Sequence, residues 1–149
     1  MWKDIYDEVG GIGFLVREEN KIIGQMIYMP KSFARKIAIS TSSSNDDIDK
    51  TMVLGCLYVL KDYGNKGIGS QMIRMLIDFC QNKGYTKVEA CVDTRSIEQL
   101  GPFDLSFYPF RKFGFIIDDT REGWEFNPHT RICSLNIDSA TPDIIKKEG

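Results

Sequence analysis

The sequence predicts an α/β fold built on one mixed, mainly antiparallel sheet, and three stretches carry that expectation. Near the start, "GFLVREENKIIGQMIYM" has the pattern of a hairpin. In the middle, an apolar strand passes through a glycine-rich turn into an amphipathic helix and on to a second strand. Towards the end, "FIIDD" and "TRICSLNID" have the composition of short closing strands.

Taken in order, the hairpin consists of two β-rich runs joined by the polar, turn-forming "EEN". "PKSFARKIAISTSSSNDDIDK" opens with proline, passes a short basic-apolar piece and ends in a Ser/Asn/Asp cluster typical of a solvated loop, long enough to act as a flap. "TMVLGCLYVL" is almost wholly apolar, which predicts a central strand buried on both faces. From Ile68 to Lys83 the residues Ile68, Met72, Leu76 and Phe79 recur at helical spacing, opposite Ser70, Arg74, Asp78 and Asn82. Gly84 then stops the helix. "TKVEACVD" alternates Val88, Ala90 and Val92 against Lys87, Glu89, Cys91 and Asp93. A strand, helix and strand in this order favour a parallel pair with a right-handed crossover. The aromatic-rich "FDLSFYPFRKFGF" is interrupted by Pro109, and the tail "TPDIIKKEG" is expected to fray.

A chain of 149 residues is the size of one domain, expected to cover 1–149. A net charge of -2 leaves no basic footprint for nucleic acid, so no nucleic-acid partner is expected. Cys56, Cys80, Cys91 and Cys133 form no CxxC pair, which argues against zinc and against a disulfide framework. The start, "MWKDIYDEVG", lacks a signal-peptide apolar core, and nowhere do 18 uncharged apolar residues run together. A cytoplasmic protein without membrane attachment is the expectation.

The most informative stretch is "DYGNKGIGSQMI", with three glycines in six residues at the entry to the helix. Glycines at such a junction let backbone N–H groups approach a ligand, and the helix start adds roughly half a positive charge that favours phosphate. They equally ease a tight turn with no ligand. The spacing matches neither the P-loop nor the dinucleotide fingerprint, so residue chemistry alone leaves both readings open.

The longer stretch "GCLYVLKDYGNKGIGSQMIRMLIDFCQNKGY" resembles the core of the GNAT acetyltransferase superfamily, in which a central strand ending in L-x-V leads to R/Q-x-x-G-x-G/A and a helix. Gly64-Asn65-Lys66-Gly67-Ile68-Gly69 fits that frame, "RKFGF" is similar to the family's K-x-G-F ending, and the resemblance spans about residues 13 to 120. It implies a GNAT-like domain with a splayed central strand flanked by helices. It further implies acetyl-CoA as acyl donor, with pyrophosphate held by the turn Gly64, Asn65, Lys66, Gly67, Ile68, Gly69 and Ser70, and the pantetheine arm along Leu57, Tyr58 and Val59. The implied activity is an N-acetyltransferase in which a small-molecule or peptide amine attacks the thioester directly. The alternative is a catalytically silent GNAT-like module that binds CoA as a sensor or interaction domain.

The sequence departs from the family pattern at four places. Gly64 stands where Arg or Gln is usual, so Lys66 is expected to supply charge instead. Cys56 occupies the position of the common glutamate base, and Phe110 that of the general-acid tyrosine. Tyr108, two residues earlier, is the substitute acid if Pro109 reshapes the helix, and Asp93 is the substitute base. About a dozen residues precede the hairpin, where members have a strand and two helices. An open acceptor site, a site closed by the "SFARKIAISTSSS" flap, or one closed by a second subunit follows, and a homodimer is expected.

Plainer roles stand beside these. Cys56 has the composition of a small core residue, and a covalent acyl-cysteine would need a neighbouring base. Glu89 and Asp93 share a strand face on which solvated carboxylates are the usual state. His129, in the polar "FNPHTR", is expected to be exposed. Nothing in the sequence separates packing from pocket-lining for Trp2 and Trp124.

Overall fold

A computed structural model describes residues 2–6, 12–64, 66–101, 104–118 and 127–137. Among the described residues, seven strands form one sheet: β1 (Trp2–Tyr6), β2 (Ile12–Glu18), β3 (Lys21–Pro30), β4 (Thr51–Val59), β5 (Lys87–Asp93), β6 (Ile116–Ile117) and β7 (Thr130–Asn136). The helices are α1 (Lys31–Lys36), α2 (Ile68–Asn82) and α3 (Tyr108–Arg111). The order across the sheet is β1-β2-β3-β4-β5-β7-β6, and only β4 and β5 run parallel. The predicted α/β class with a mixed, mainly antiparallel sheet is the one observed.

The β2–β3 hairpin turns over Glu19 and Asn20, with Glu19 at φ 55. β1 is an extra edge strand that the sequence did not announce, because Lys3 and Asp4 break any apolar alternation there. Trp124 and the 141–149 tail lie outside the described residues. Among the described residues, no helix is long and apolar enough to cross a membrane.

α2 covers one face of the sheet. Its buried residues are Met72, Ile73, Leu76, Ile77 and Cys80, which meet Met26, Tyr28, Met52 and Leu54 from β3 and β4 and the alternate residues Val88, Ala90 and Val92 of β5. Each fully buried large side chain contributes about 1.5–3 kcal/mol, so this layer dominates the fold's stability. The stripe is broader than the periodicity predicts: Ile73, Ile77 and Cys80 are inside, whereas Ile68 and Phe79 are half-buried at its margin. Phe79 stacks beside Tyr28 at 5.3 Å between ring centres. The helix ends at Lys83, and Gly84 adopts φ 82, the left-handed conformation that favours glycine after a helix. The opposite face is covered in part by α1, with Met29, Val53 and Ala34 buried between Phe33 and Ile39.

Candidate functional site

The site originates in a change of partner along β4. Its first four residues, Thr51 to Leu54, pair in parallel with Lys87 to Ala90 of β5 and are buried. From Gly55 onward β4 keeps its ladder to β3 but has none to β5, and its residues are only half-buried. The expectation of a strand buried on both faces along its whole length is therefore corrected: only the first half is. Gly55 is the pivot, because the register with β3 jumps from Leu54↔Tyr28 to Cys56↔Ile27 and leaves Gly55 as the extra residue of a bulge. A Cβ at Gly55 would sit 3.0 Å from the methyl end of the Met29 side chain, a contact that a small shift of that flexible side chain would relieve.

Residues 104–107 prop the opening. The Asp93 amide donates to the Leu105 carbonyl at 2.7 Å, and the Phe107 amide donates to the Asp93 carbonyl at 3.2 Å. With β7 on the other edge of Asp93, this segment takes the neighbour position that β4 vacates. The cleft so formed has a volume of about 350 Å³ and lies between residues 38–40, the outer part of β4, the end of β5 and Asp104–Leu105. A second cavity of about 520 Å³ lies over Ile23–Gln25 and Cys56–Tyr58. The outer half of β4 thus borders two open spaces.

Asp93 lines the cleft with its side chain almost fully buried. Its Oδ1 accepts from the backbone N–H and Nε of Arg95, both at 3.0 Å, and its Oδ2 accepts from Arg95 Nη2 at 2.7 Å and Asn127 Nδ2 at 3.4 Å. These Arg95 bonds, opposed by burial and aided by Asn127, hold the carboxyl below the usual range. Glu89 is also buried rather than solvated. Burial pushes its carboxyl up, but the Lys31 ammonium and the amide and hydroxyl of Ser42 outweigh it, so the net direction is down. The expectation of solvated carboxylates on this strand face fails because both faces of a parallel central strand are covered here.

At the glycine turn, Gly67 is the N-cap of α2 at φ 78, and the first helical bond runs from Gln71 N–H to Gly67 O. No side chain caps the helix, and its first turn holds no acidic residue, so the amides of Ile68, Gly69 and Ser70 are the orphan donors of a helix start. A Cβ placed on Gly67 or Gly69 would meet nothing within 4 Å. This uncapped, unobstructed start suits a pyrophosphate. Gly64 differs: its amide already donates to the Lys61 carbonyl at 3.2 Å within the preceding turn. Lys66 sits 5.3 Å from the Tyr63 ring centre and Lys21 sits 5.6 Å from it, and the carboxylates of Glu18, Asp62 and Glu19 also act on Tyr63, so the charge beside the turn is mixed. Asn65 lies outside the described residues.

The other predicted residues divide. Leu57 and Val59 pack against the main core, and Leu57 and Tyr58 border the larger cavity. Cys56 lines both cavities and is half-buried, so the core role is corrected. Phe110 is fully buried and meets Phe115 edge-on at 5.2 Å. Tyr108 is 61% exposed, with Arg111 at 5.7 Å from its ring centre, and faces a different cavity of about 330 Å³ beside Thr94–Glu98. Pro109 starts α3 without turning the Tyr108 side chain into the cleft. Tyr108 is not among the residues that line the cleft. His129 is exposed, as anticipated.

The flap holds residues the sequence did not single out. Lys31, fully buried, donates to Glu89 Oε2 at 2.9 Å, Ser42 Oγ at 2.8 Å and the Ser44 carbonyl at 2.7 Å. Ser42 in turn donates its N–H to Glu89 Oε1 at 2.9 Å and its hydroxyl to Glu89 Oε2 at 2.8 Å. A lysine opening a helix after proline, followed by a serine run, is the available signal, but it does not name the partner.

A strand that leaves its parallel neighbour halfway and runs into an open helix start is the arrangement that the resemblance to CoA-thioester acyltransferases implies. The family model of the acetyltransferase (GNAT) family matches residues 1–100, and the chain belongs to that family. Its fold supports acyl transfer from a CoA thioester. Among solved structures, the chain is similar to the IAA acetyltransferase of Bacillus cereus, at 16% identity and TM-score 0.58, over 86% of this chain and 79% of that one. It is similar to the ribosomal-protein-S18-alanine N-acetyltransferase of Escherichia coli, at 16% identity and TM-score 0.59, over 89% and 72%. It is also similar to a CoA-dependent acyl-homoserine lactone synthase with SAM and isopentyl-CoA, at 16% identity and TM-score 0.62, over 98% and 67%. At these identities the likeness shows the fold. No curated protein sequence matches the chain.

Proposed function

We propose that the protein is an N-acetyltransferase that moves an acetyl group from acetyl-CoA to a small-molecule or peptide amine by direct attack on the thioester. The observation that carries the reading is the continuity of two open donor sets: the β4 edge beyond Gly55 and the uncapped α2 start that follows it. Acetyl-CoA supplies an activated acyl thioester. The amides of Ile68, Gly69 and Ser70 would hold its pyrophosphate, with Lys66 adding charge, and Leu57, Tyr58 and Val59 would line its arm. With this reading go a cytoplasmic location and a homodimer through the face where Ile22 and Ile27 are 45% and 43% exposed.

The chemistry requires the amine to lose a proton, which costs roughly 4 to 5 kcal/mol at neutral pH for an alkyl amine with a pKa near 10.4. Asp93 is a weak base for this step, because Arg95 and Asn127 stabilise its ionised form. Asp93 and the half-buried Asp104 share one cation, Arg95, so the two carboxylates leave a net negative wall that would favour a cationic acceptor. Water carries the proton away. Orientation in the cleft supplies several kcal/mol of the barrier, and a thiolate leaving group with a pKa near 8.5 departs with little help from an acid.

A second reading, a CoA-binding sensor without turnover, draws on buried Phe110 and displaced Tyr108. Titration of acetyl-CoA by calorimetry, followed by a CoA-release assay across an amine library, separates the two. Binding with turnover supports the enzyme. Binding with no amine releasing CoA replaces it by the sensor, and absence of binding overturns both.

A further inference from the structure

Residues 37–45 are built as a latched wall rather than a solvated loop. α1 ends in a turn where the Ile39 amide donates to the Ala34 carbonyl at 2.9 Å and the Ala38 amide to the Arg35 carbonyl at 3.4 Å. This is the Schellman arrangement, whose left-handed position usually carries glycine. Here that position is Ala38, at φ 63, and Ala38 lines the cleft. A non-glycine residue held in this conformation persists only where its surroundings over-determine it.

The surroundings are two cations. Arg35 clamps the segment from outside, donating Nη2 to the carbonyls of Ser42 and Ser44, both at 2.9 Å, and Nη1 to Asn45 Oδ1 at 2.6 Å. Lys31 clamps it from beneath, and its three donors are all engaged, by Glu89, Ser42 and Ser44. Glu89 lies on β5, four residues before Asp93 on the same strand face, so the latch ties the flap directly to the strand that bears the cleft's charge. A buried pair of this kind is weak evidence for added stability, since apolar replacements often do as well. Its use here is geometric, because it fixes where Ala38, Ile39 and Ser40 stand over the cleft.

We infer that Lys31 and Glu89 are positioning residues, and that through Ser42 they hold the 38–40 segment as the acceptor-side wall that limits access to the cleft. The assignment of the acceptor to this side rests on the acyl-transfer reading; the latch itself does not. One thiol reports on it: Cys91 lines the cleft and not the second cavity, whereas Cys56 borders both and Cys80 and Cys133 are fully buried. Burial also pushes the Cys80 thiol up to about 12.

The test is alkylation by iodoacetamide, read site by site by peptide mass, on the full chain and on Lys31→Met and Ser42→Ala. Ser42→Ala leaves the ion pair in place and removes the two hydroxyl bonds that tie the flap to Lys31 and Glu89. It loosens the flap, while the residue 42 N–H bond to Glu89 and the Lys31 bond to the Ser44 carbonyl remain. Both variants are expected to label Cys91 roughly tenfold faster, as a locally opened segment would, while Cys80 and Cys133 stay protected. If Lys31→Met exposes all four thiols it has unfolded, and Ser42→Ala alone decides. Unchanged labelling of Cys91 in folded Ser42→Ala overturns the latch. Acetyl-CoA titration of the same variants is expected to match that of the wild type. Where the wild type binds no acetyl-CoA but the labelling contrast holds, the acyl-transfer reading falls and the latch stands.

Discussion

Replacing Gly69 by glutamate should move folding stability and cofactor affinity in opposite directions. The site has room, since a Cβ at Gly69 meets no atom within 4 Å and its backbone is helical. An acidic side chain in the first turn of a helix that has none stabilises it by about 0.3–1 kcal/mol, and replacing a helical glycine adds up to about 0.5–1 kcal/mol. A pyrophosphate on the same amides would meet the new carboxylate. Two unit charges 4 Å apart repel by about 4 kcal/mol at an effective dielectric of 20, and solvent at this exposed turn reduces that to roughly half. Losing one charge-assisted N–H bond adds about 1.5–3 kcal/mol. The sum, about 3.5–5 kcal/mol, corresponds to a loss of affinity of more than two orders of magnitude. Calorimetric titration with acetyl-CoA, alongside urea unfolding of the free protein, reads both quantities. An affinity within about threefold of wild type in a Gly69→Glu protein of undiminished stability would refute the pyrophosphate assignment.

Gly67→Ala places a side chain at φ 78 and should lower stability by about 1–2 kcal/mol by urea unfolding, and an unchanged midpoint would show that the turn relaxes instead. Tyr108→Phe should leave kcat within about twofold for any accepted amine, and a drop of 10² or more, the range of general acid catalysis, would return its hydroxyl to the mechanism. In acid, Glu89 and Asp93 both have native carboxyls held below their ordinary values of 4.5 and 3.8. Their contribution is complete above the ordinary values and is lost as pH falls through the lower native ones, so the urea midpoint should be flat from neutrality to about pH 5 and then decline. Glu89→Gln should flatten that decline, and an equally steep fall in this variant would dissociate it from the latch.

Periodicity made α2 and the alternation of Val88, Ala90 and Val92 legible, because each is a local repeat written in one segment. The glycine turn was legible as a candidate for the same reason, although its choice of amides was not: Gly64 is engaged by Lys61, a neighbour that spacing alone does not rank. The latch escaped, since Lys31 and Glu89 are 58 residues apart and nothing in either segment encodes the other. One signal was available. A carboxylate in a parallel strand expected to be covered on both faces must find a partner, which applies to Glu89 and Asp93 alike. The position of Tyr108 was not legible, because the direction in which a short helix with an early proline projects its first side chain depends on its packing, here with Phe110 and Phe113 buried.

Among the described residues, the four residue pairs between Thr51–Leu54 and Lys87–Ala90 are the sole ladder joining the β1–β4 half of the sheet to the β5–β7 half. Mechanically, that makes the seam a hinge and the outer half of β4 a lever. From Gly55 to Val59 the lever is about 16 Å long at roughly 3.3 Å per residue, so a rotation of about 10° at Leu54 moves its tip by about 3 Å. That displacement approaches one carbon–carbon contact distance. A small twist of one half-sheet against the other, transmitted through α2 packed across both, would therefore admit or refuse one layer of atoms in the cleft.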